Sequence, residues 1–145
     1  LDCARSDRPA VLIADGGIKN SGDIVKSLAG GADMVMLGSM LAGTKESPGE
    51  SLQDTEGRKF KVYRGMASRE AQIAWRGEAR SLEGVSTTVP YKGKVENILR
   101  DLTQNVRSGL SYSGCRTISE FQAYARFIKQ TSAGQTESHT HILKR

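Results

Sequence analysis

The sequence predicts an α/β fold built around a parallel βαβ unit, and three features carry that expectation. Two short apolar runs, Val11-Leu12-Ile13-Ala14 and Met34-Val35-Met36-Leu37, read as strands buried on both faces. The segment between them has helix punctuation at both ends. The links are short, and two strands joined through a helix run parallel.

The elements follow in order. Pro9-Ala10 leads into the first run, and Asp15-Gly16-Gly17 ends it. Ser21 suits an N-cap, with Asp23 in the first turn and Ile24, Val25 and Leu28 on the buried stripe; Gly30-Gly31 closes the helix. The second run ends in Gly38-Ser39. Residues 43–57 read as loop, with turn signals at Pro48-Gly49 and Glu56-Gly57. Phe60 to Arg64 reads as a short strand, and Ser68-Arg69-Glu70 as the start of a helix reaching Trp75, which is expected to pack. Residues 77–84 are polar, and Thr87 to Tyr91 reads as another strand. Lys94 to Leu110 carries Val95, Ile98, Leu99, Leu102 and Val106 at helical spacing. Thr117 to Phe127 repeats the pattern, with capping-box spacing from Thr117 to Glu120, and the tail from Thr131 is polar and aperiodic.

Composition narrows the function classes. A chain of 145 residues, 37% hydrophobic and 26% charged, fits one globular domain rather than a disordered or fibrous segment. No apolar run approaches the ~18 residues of a membrane span, and the start lacks signal-peptide architecture and reads like a cut. Cys3 and Cys115 form neither a disulfide framework nor a metal cluster, which suits the reducing cytoplasm. His139 and His141 lack a third zinc ligand. The net charge of +5 is scattered, and Arg107 and Arg116 read as solvated charges. A nucleic-acid module would interleave basic and exposed aromatic residues, and no such stretch is present. A phosphate-bearing small molecule accounts for the charge as well, and a solvated basic surface accounts for it better.

Chemistry is expected where parallel strands end. Here the ends are Asp15-Gly16-Gly17 and Gly38-Ser39. Glycine allows a phosphate to approach the backbone, and N–H groups at a helix start face an anion. Ser39 adds a hydroxyl donor. Asp15 would repel phosphate, but its carboxylate suits the vicinal hydroxyls of a ribose. The alternative is that these glycines only make tight turns, and spacing alone does not separate the two.

Longer motifs point further. Ile13-Ala-Asp-Gly-Gly-Ile18, Ser21-Gly-Asp23, Val35-Met-Leu-Gly-Ser39, Leu41-Ala-Gly-Thr-Lys-Glu-Ser-Pro-Gly49, Tyr63-Arg-Gly-Met66, Pro90-Tyr-Lys-Gly93 and Glu137-Ser-His139 occur in this order. Together they resemble the IMP dehydrogenase/GMP reductase family over nearly the whole chain. The resemblance implies an α/β fold that is the C-terminal part of a (β/α)8 TIM barrel with a flap segment and C-terminal helices. A full barrel takes roughly 250 residues, so the chain would be about half of one. Residues 1–50 would form the last barrel βαβ unit with the nucleotide-phosphate site, 51–93 the active-site loop and flap, and 94–145 the C-terminal helices and tail.

The same resemblance implies the site. Asp15 would hold the ribose; Gly16, Gly17, Gly38 and Ser39, helped by Tyr63, the phosphate of IMP or GMP. Gly65, Met66 and Ala67 would lie along the purine, and Glu83 would contact its N1 side, where a carboxylate can accept an N1–H. Arg80, Ser108 and Ser111 would serve the cofactor, the Ser108–Ser111 stretch reaching that of a neighbouring subunit. Glu137, Ser138 and His139 would offer main-chain oxygens to a potassium ion across a contact in a homotetramer. The nucleophilic cysteine of the family sits on an earlier loop. Cys3 precedes the first strand and Cys115 reads as a packed thiol, so the chain alone is expected to be inactive.

Two reactions share this pocket: IMP oxidation with NAD and GMP reduction with NADPH. Dehydrogenases of the family hydrolyse their adduct with an adjacent Arg-Tyr pair in the flap. Between Ser68 and Glu83 this sequence has Arg69, Arg76 and Arg80 but no tyrosine. Gly65-Met-Ala-Ser68, Arg80-Ser-Leu-Glu-Gly84, Val89-Pro-Tyr-Lys-Gly-Lys-Val-Glu-Asn97 and Val106-Arg-Ser-Gly-Leu-Ser-Tyr112 resemble GMP reductases. Tyr63-Arg64 and Glu137-Ser-His139 look instead like bacterial dehydrogenases. The balance favours a GMP reductase-like enzyme using NADPH, with NAD-dependent IMP dehydrogenase as the alternative.

Overall fold

The structure, a computed structural model, describes residues 10–65, 68–78 and 86–138. β1 (Ile13–Ala14) and β2 (Met34–Val35) pair in parallel, with Ile13 opposite Met34 and Ala14 opposite Val35. Helix α1 (Ser21–Ala29) joins them, so the expected βαβ unit is present. Its N-cap is Asn20, not Ser21. The Asn20 side chain accepts from the Asp23 N–H at 3.0 Å, and the Asp23 carboxylate accepts from the Asn20 N–H at 3.2 Å. Asn and Ser are near-equal caps, but only the extended Asn20 backbone aims a side chain at the third helical residue. Ile24 and Leu28 of α1 join Ile18 in the core, against Val35, Leu37, Met40, Leu102, Val106 and Ile118.

Within this chain alone the two strands are buried on one face only. Side chains alternate along a strand, and the face carrying Val11, Ile13, Met34 and Met36 is open, Val11 being 62% exposed. Helix α1 covers only the other face. The chain exposes 11639 Å², against about 7,300 Å² for a compact chain of this mass.

A second sheet carries the middle of the chain. β3 (Ser51–Gln53), β4 (Lys59–Arg64) and β5 (Ser86–Pro90) run antiparallel in that order. β3 falls where the sequence reads as loop. All three of its residues are exposed, so no apolar alternation marks it; the turn at Asp54, which accepts from the N–H groups of Glu56 and Arg58, folds it onto β4. Helix α2 (Arg69–Arg76) lies between β4 and β5 in sequence, capped by Ser68 and closed by left-handed Gly77. Trp75 does not pack: it is 68% exposed, with the Arg76 guanidinium 4.6 Å from its ring centre.

Three further helices follow among the described residues: α3 (Val95–Tyr112), α4 (Ile118–Tyr124) and α5 (Ser132–Glu137). Lys94 gives α3 no side-chain cap; the Glu46 carboxylate accepts from the Val95 N–H at 2.8 Å instead. Along α3, Gly109 fits against Val25 of α1 so closely that a β-carbon there would lie 2.8 Å from a Val25 methyl. The Thr117–Glu120 capping box forms as expected, but α4 ends at Tyr124, and Phe127 lies beyond it on the surface. Cys115 is buried between α3 and α4, its thiol against the Ser113 carbonyl. The aperiodic tail contains α5, a short polar helix held by its Thr131 cap rather than by an apolar stripe.

Candidate functional site

Because β1 and β2 are parallel neighbours, Asp15-Gly16-Gly17 and Gly38-Ser39 leave the sheet side by side. Gly16 and Gly17 have φ of +85° and +73°, two successive left-handed residues in a turn that side chains would strain. No described residue accepts from the N–H groups of Gly16, Gly17, Gly38, Ser39 or Met40. The Asp15 carboxylate and the Ser39 hydroxyl are exposed and also lack a described partner. Free donors at two strand ends, with one carboxylate beside them, form a cradle that can hold an anion and a diol.

The chain after β2 is held in place by its carbonyls. Leu41 N–H returns to Gly38 O at 3.1 Å, and Thr44, 1% exposed, turns back on Leu41. Lys92 donates to Ser39 O and Met40 O, each at 3.1 Å. Lys61, 4% exposed, donates to Thr44 O at 3.0 Å, Lys45 O at 3.4 Å and Ser47 O. Gly43 has φ of +83°, and a β-carbon there would meet Pro90 O at 2.3 Å, so β5 can pass only over glycine. From β4 the Tyr63 hydroxyl reaches to 3.9 Å from where a Gly38 β-carbon would stand. Beside this contact opens a cleft of about 950 Å³, lined among others by Gly38, Leu41, Glu46, Tyr63, Arg64 and Val95.

Two carboxylates near the cradle are committed to structure. The Lys19 N–H, then the Lys26 ammonium, hold Asp23 below the usual carboxylate range. The Val95 N–H does the same for Glu46. Sequence reasoning missed Lys61 and Lys92, because a lysine on a strand or after one ordinarily reads as a solvated charge.

The other expected site residues are placed as follows. Gly65 follows β4, and its carbonyl accepts from the Ser68 N–H at 2.9 Å. Met66, Ala67, Arg80, Glu83 and His139 lie outside the described residues. Ser108 and Ser111 line a separate shallow depression on α3 with Arg107 and Tyr112, and the Ser108 hydroxyl donates to Gln104 O at 3.0 Å. Glu137 ends α5 and Ser138 caps it, donating its N–H to Gly134 O at 3.0 Å. The structure thus brings Asp15, Gly16, Gly17, Gly38, Ser39 and Tyr63 to one end of the parallel pair. It does not bring Ser108, Ser111, Glu137 or Ser138 there within this chain.

A parallel βαβ unit whose strand ends present free N–H groups side by side belongs to the α/β class, in which ligands bind at that end of the sheet. The chain belongs to the IMP dehydrogenase/GMP reductase family, whose domain it matches over residues 2–141. It is 48% identical to an inosine-5'-monophosphate dehydrogenase of Nitrosopumilus maritimus, over 97% of this chain and 32% of that protein. It is 43% identical to a GMP reductase of Leishmania donovani, over 100% of this chain and 32% of that protein. Among solved structures it resembles a GMP reductase variant of Trypanosoma brucei crystallised with guanosine 5'-monophosphate. That match has a TM-score of 0.81 and 47% identity, over 91% of this chain and 28% of that one. The chain therefore has the fold of a TIM-barrel fragment and spans about a third of the length of these relatives.

Proposed function

We propose that the full-length protein reduces GMP to IMP and ammonia with NADPH, this chain supplying the end of the pocket that holds the nucleotide. The observation that carries the choice is the segment between β4 and β5. It contains arginines at 69, 76 and 80 but no tyrosine, and so no Arg-Tyr pair to activate water. A positioned base commonly contributes about 10²–10⁴-fold to such a step. Without it, hydrolysis of the adduct between the family's cysteine and the purine is slow, whereas hydride delivery to the purine carbon needs closeness and orientation.

In this reading Asp15 binds the ribose hydroxyls. The free N–H groups at Gly16, Gly17, Gly38 and Ser39 hold the phosphate beside Tyr63, and Gly65, Met66, Ala67 and Glu83 orient the purine. The nucleophilic cysteine comes from a part of the protein outside this chain. NADPH, when bound, supplies the hydride; Arg80, Ser108 and Ser111 are the residues of this chain we assign to it, the serines facing a neighbouring subunit of a homotetramer. The carbonyls of Glu137, which ends α5, and of Ser138, which caps it, are hard oxygen donors at a helix C-terminus, where the dipole favours a cation. We assign them, with the main-chain oxygen of His139, to a potassium ion.

NAD-dependent oxidation of IMP is the second possibility, favoured by the dehydrogenase relatives and by Tyr63-Arg64. Assaying both directions on one full-length preparation, by absorbance of the reduced cofactor, separates them. GMP-dependent loss of NADPH is expected to outrun NADH production from IMP; the reverse order would make the protein a dehydrogenase.

A further inference from the structure

We infer that Lys61 and Lys92 are positioning residues for the anion cradle: they hold the segment 39–47 by its carbonyl oxygens and so keep its free N–H groups facing a phosphate. The inference rests on the nucleotide reading above and extends it to two lysines outside the residues that would touch the ligand.

Lys61 is buried, and no described carboxylate pairs with it. A buried ammonium is costly unless its donors are used. Here three donors meet three carbonyls, those of Thr44, Lys45 and Ser47. Lys92 takes the carbonyls of Ser39 and Met40. Two ammonium groups thus gather most of the carbonyls of this segment, and neither is left to act as a simple ligand in the cleft.

The consequence lies in peptide geometry. No peptide bond among the described residues is cis, and in a trans peptide the C=O of one residue and the N–H of the next point opposite ways. The grip of Lys92 on Ser39 O therefore turns the Met40 N–H away from the lysine, and that N–H is one of the free donors. A cation on the carbonyl polarises the same peptide and strengthens its N–H as a donor to an anion. Lys61 and Tyr63, two apart on β4, share a face. One strand therefore carries both the lysine that fixes residues 44–47 and the tyrosine that stands by Gly38.

The test uses full-length protein and calorimetric Kd values for GMP and IMP against guanosine and inosine, with inorganic phosphate as a competing probe. Lys92→Met should weaken nucleotide and phosphate binding about tenfold, the scale of a charge-assisted hydrogen bond, and nucleoside binding less than about twofold. Lys92→Arg should restore most of the loss. Lys61→Met is the variant at risk of unfolding, whereas Lys92 is exposed and its variant keeps the test decisive. Equal losses for nucleotide and nucleoside, or no loss for either, overturn the inference. Wild-type protein that binds nucleotide no tighter than nucleoside overturns the nucleotide reading itself, and the lysine roles with it. Phosphate-dependent affinity that survives Lys92→Met overturns the lysine roles alone.

Discussion

The Tyr63 hydroxyl stands 3.9 Å from the point a β-carbon on Gly38 would occupy, an ordinary contact distance. Gly38 is also not among the residues with positive φ. A methyl there suits the protein and obstructs only what binds between the strand end and the tyrosine. Gly38→Ala in the full-length protein should leave stability within about 0.5 kcal/mol. Calorimetric GMP and IMP affinity should nonetheless fall about tenfold or more, as for losing hydrogen bonds to a charged group. Unchanged affinity would separate Gly38 from the ligand.

Asp15 and Ser39 should differ in weight. On the proposed reading, Asp15→Ala removes a charged acceptor from the ribose and should cost about 1.5–3 kcal/mol of nucleotide binding. Ser39→Ala should cost less, because the backbone donors around it remain. Two near-zero effects in the same titration would remove the pocket assignment.

Two glycines are tight for different reasons, and denaturant unfolding should tell them apart. At Gly43 both the left-handed φ and the Pro90 carbonyl oppose a side chain, so Gly43→Ala should cost about 3 kcal/mol or more with no simple remedy. At Gly109 the obstacle is the Val25 side chain. Gly109→Ala should cost about 1–3 kcal/mol, and adding Val25→Ala should return part of that cost.

Glu46 ties stability to acid pH. Its carboxyl is held below its reference value of 4.5, first by the Val95 N–H, so the folded state favours the charged form. That contribution is complete above the reference value and is lost as pH falls through the lowered one. Glu46→Gln should therefore lower Tm near neutral pH, and the gap from wild type should close in strong acid. A gap that stays constant down the acid limb would show that the charge does not cap α3.

The sequence made legible what repeats a period or a cap. Helix α3, the Thr117–Glu120 box and the first βαβ unit all do so and are present, although of the α3 stripe Leu102 and Val106 reach the core and Leu99 is exposed. β3 and α5 were not legible, since both are short and polar and are held by a turn or a cap rather than by an apolar face. In the site, the glycines and Asp15 announced themselves by standing after strands. Lys61 did not: its role comes from three carbonyls contributed by residues 14 to 17 positions away, a convergence visible only once β4 lies against that segment.

β4 and β5 stay paired out to Arg64 and Ser86, so the segment 65–85 leaves and re-enters the fold at a single rung. The entropy of closing such a loop grows slowly, by about 0.6 kcal/mol for each doubling of its length. A change in its length is therefore inexpensive for the β4–β5 pairing, but its first part is tied to the fold: Ser68 and Gln72 are buried, and Ala71 lines the same cleft as Gly38 and Tyr63. One rung thus anchors a segment whose length can vary, while its buried first part stays set against the cleft.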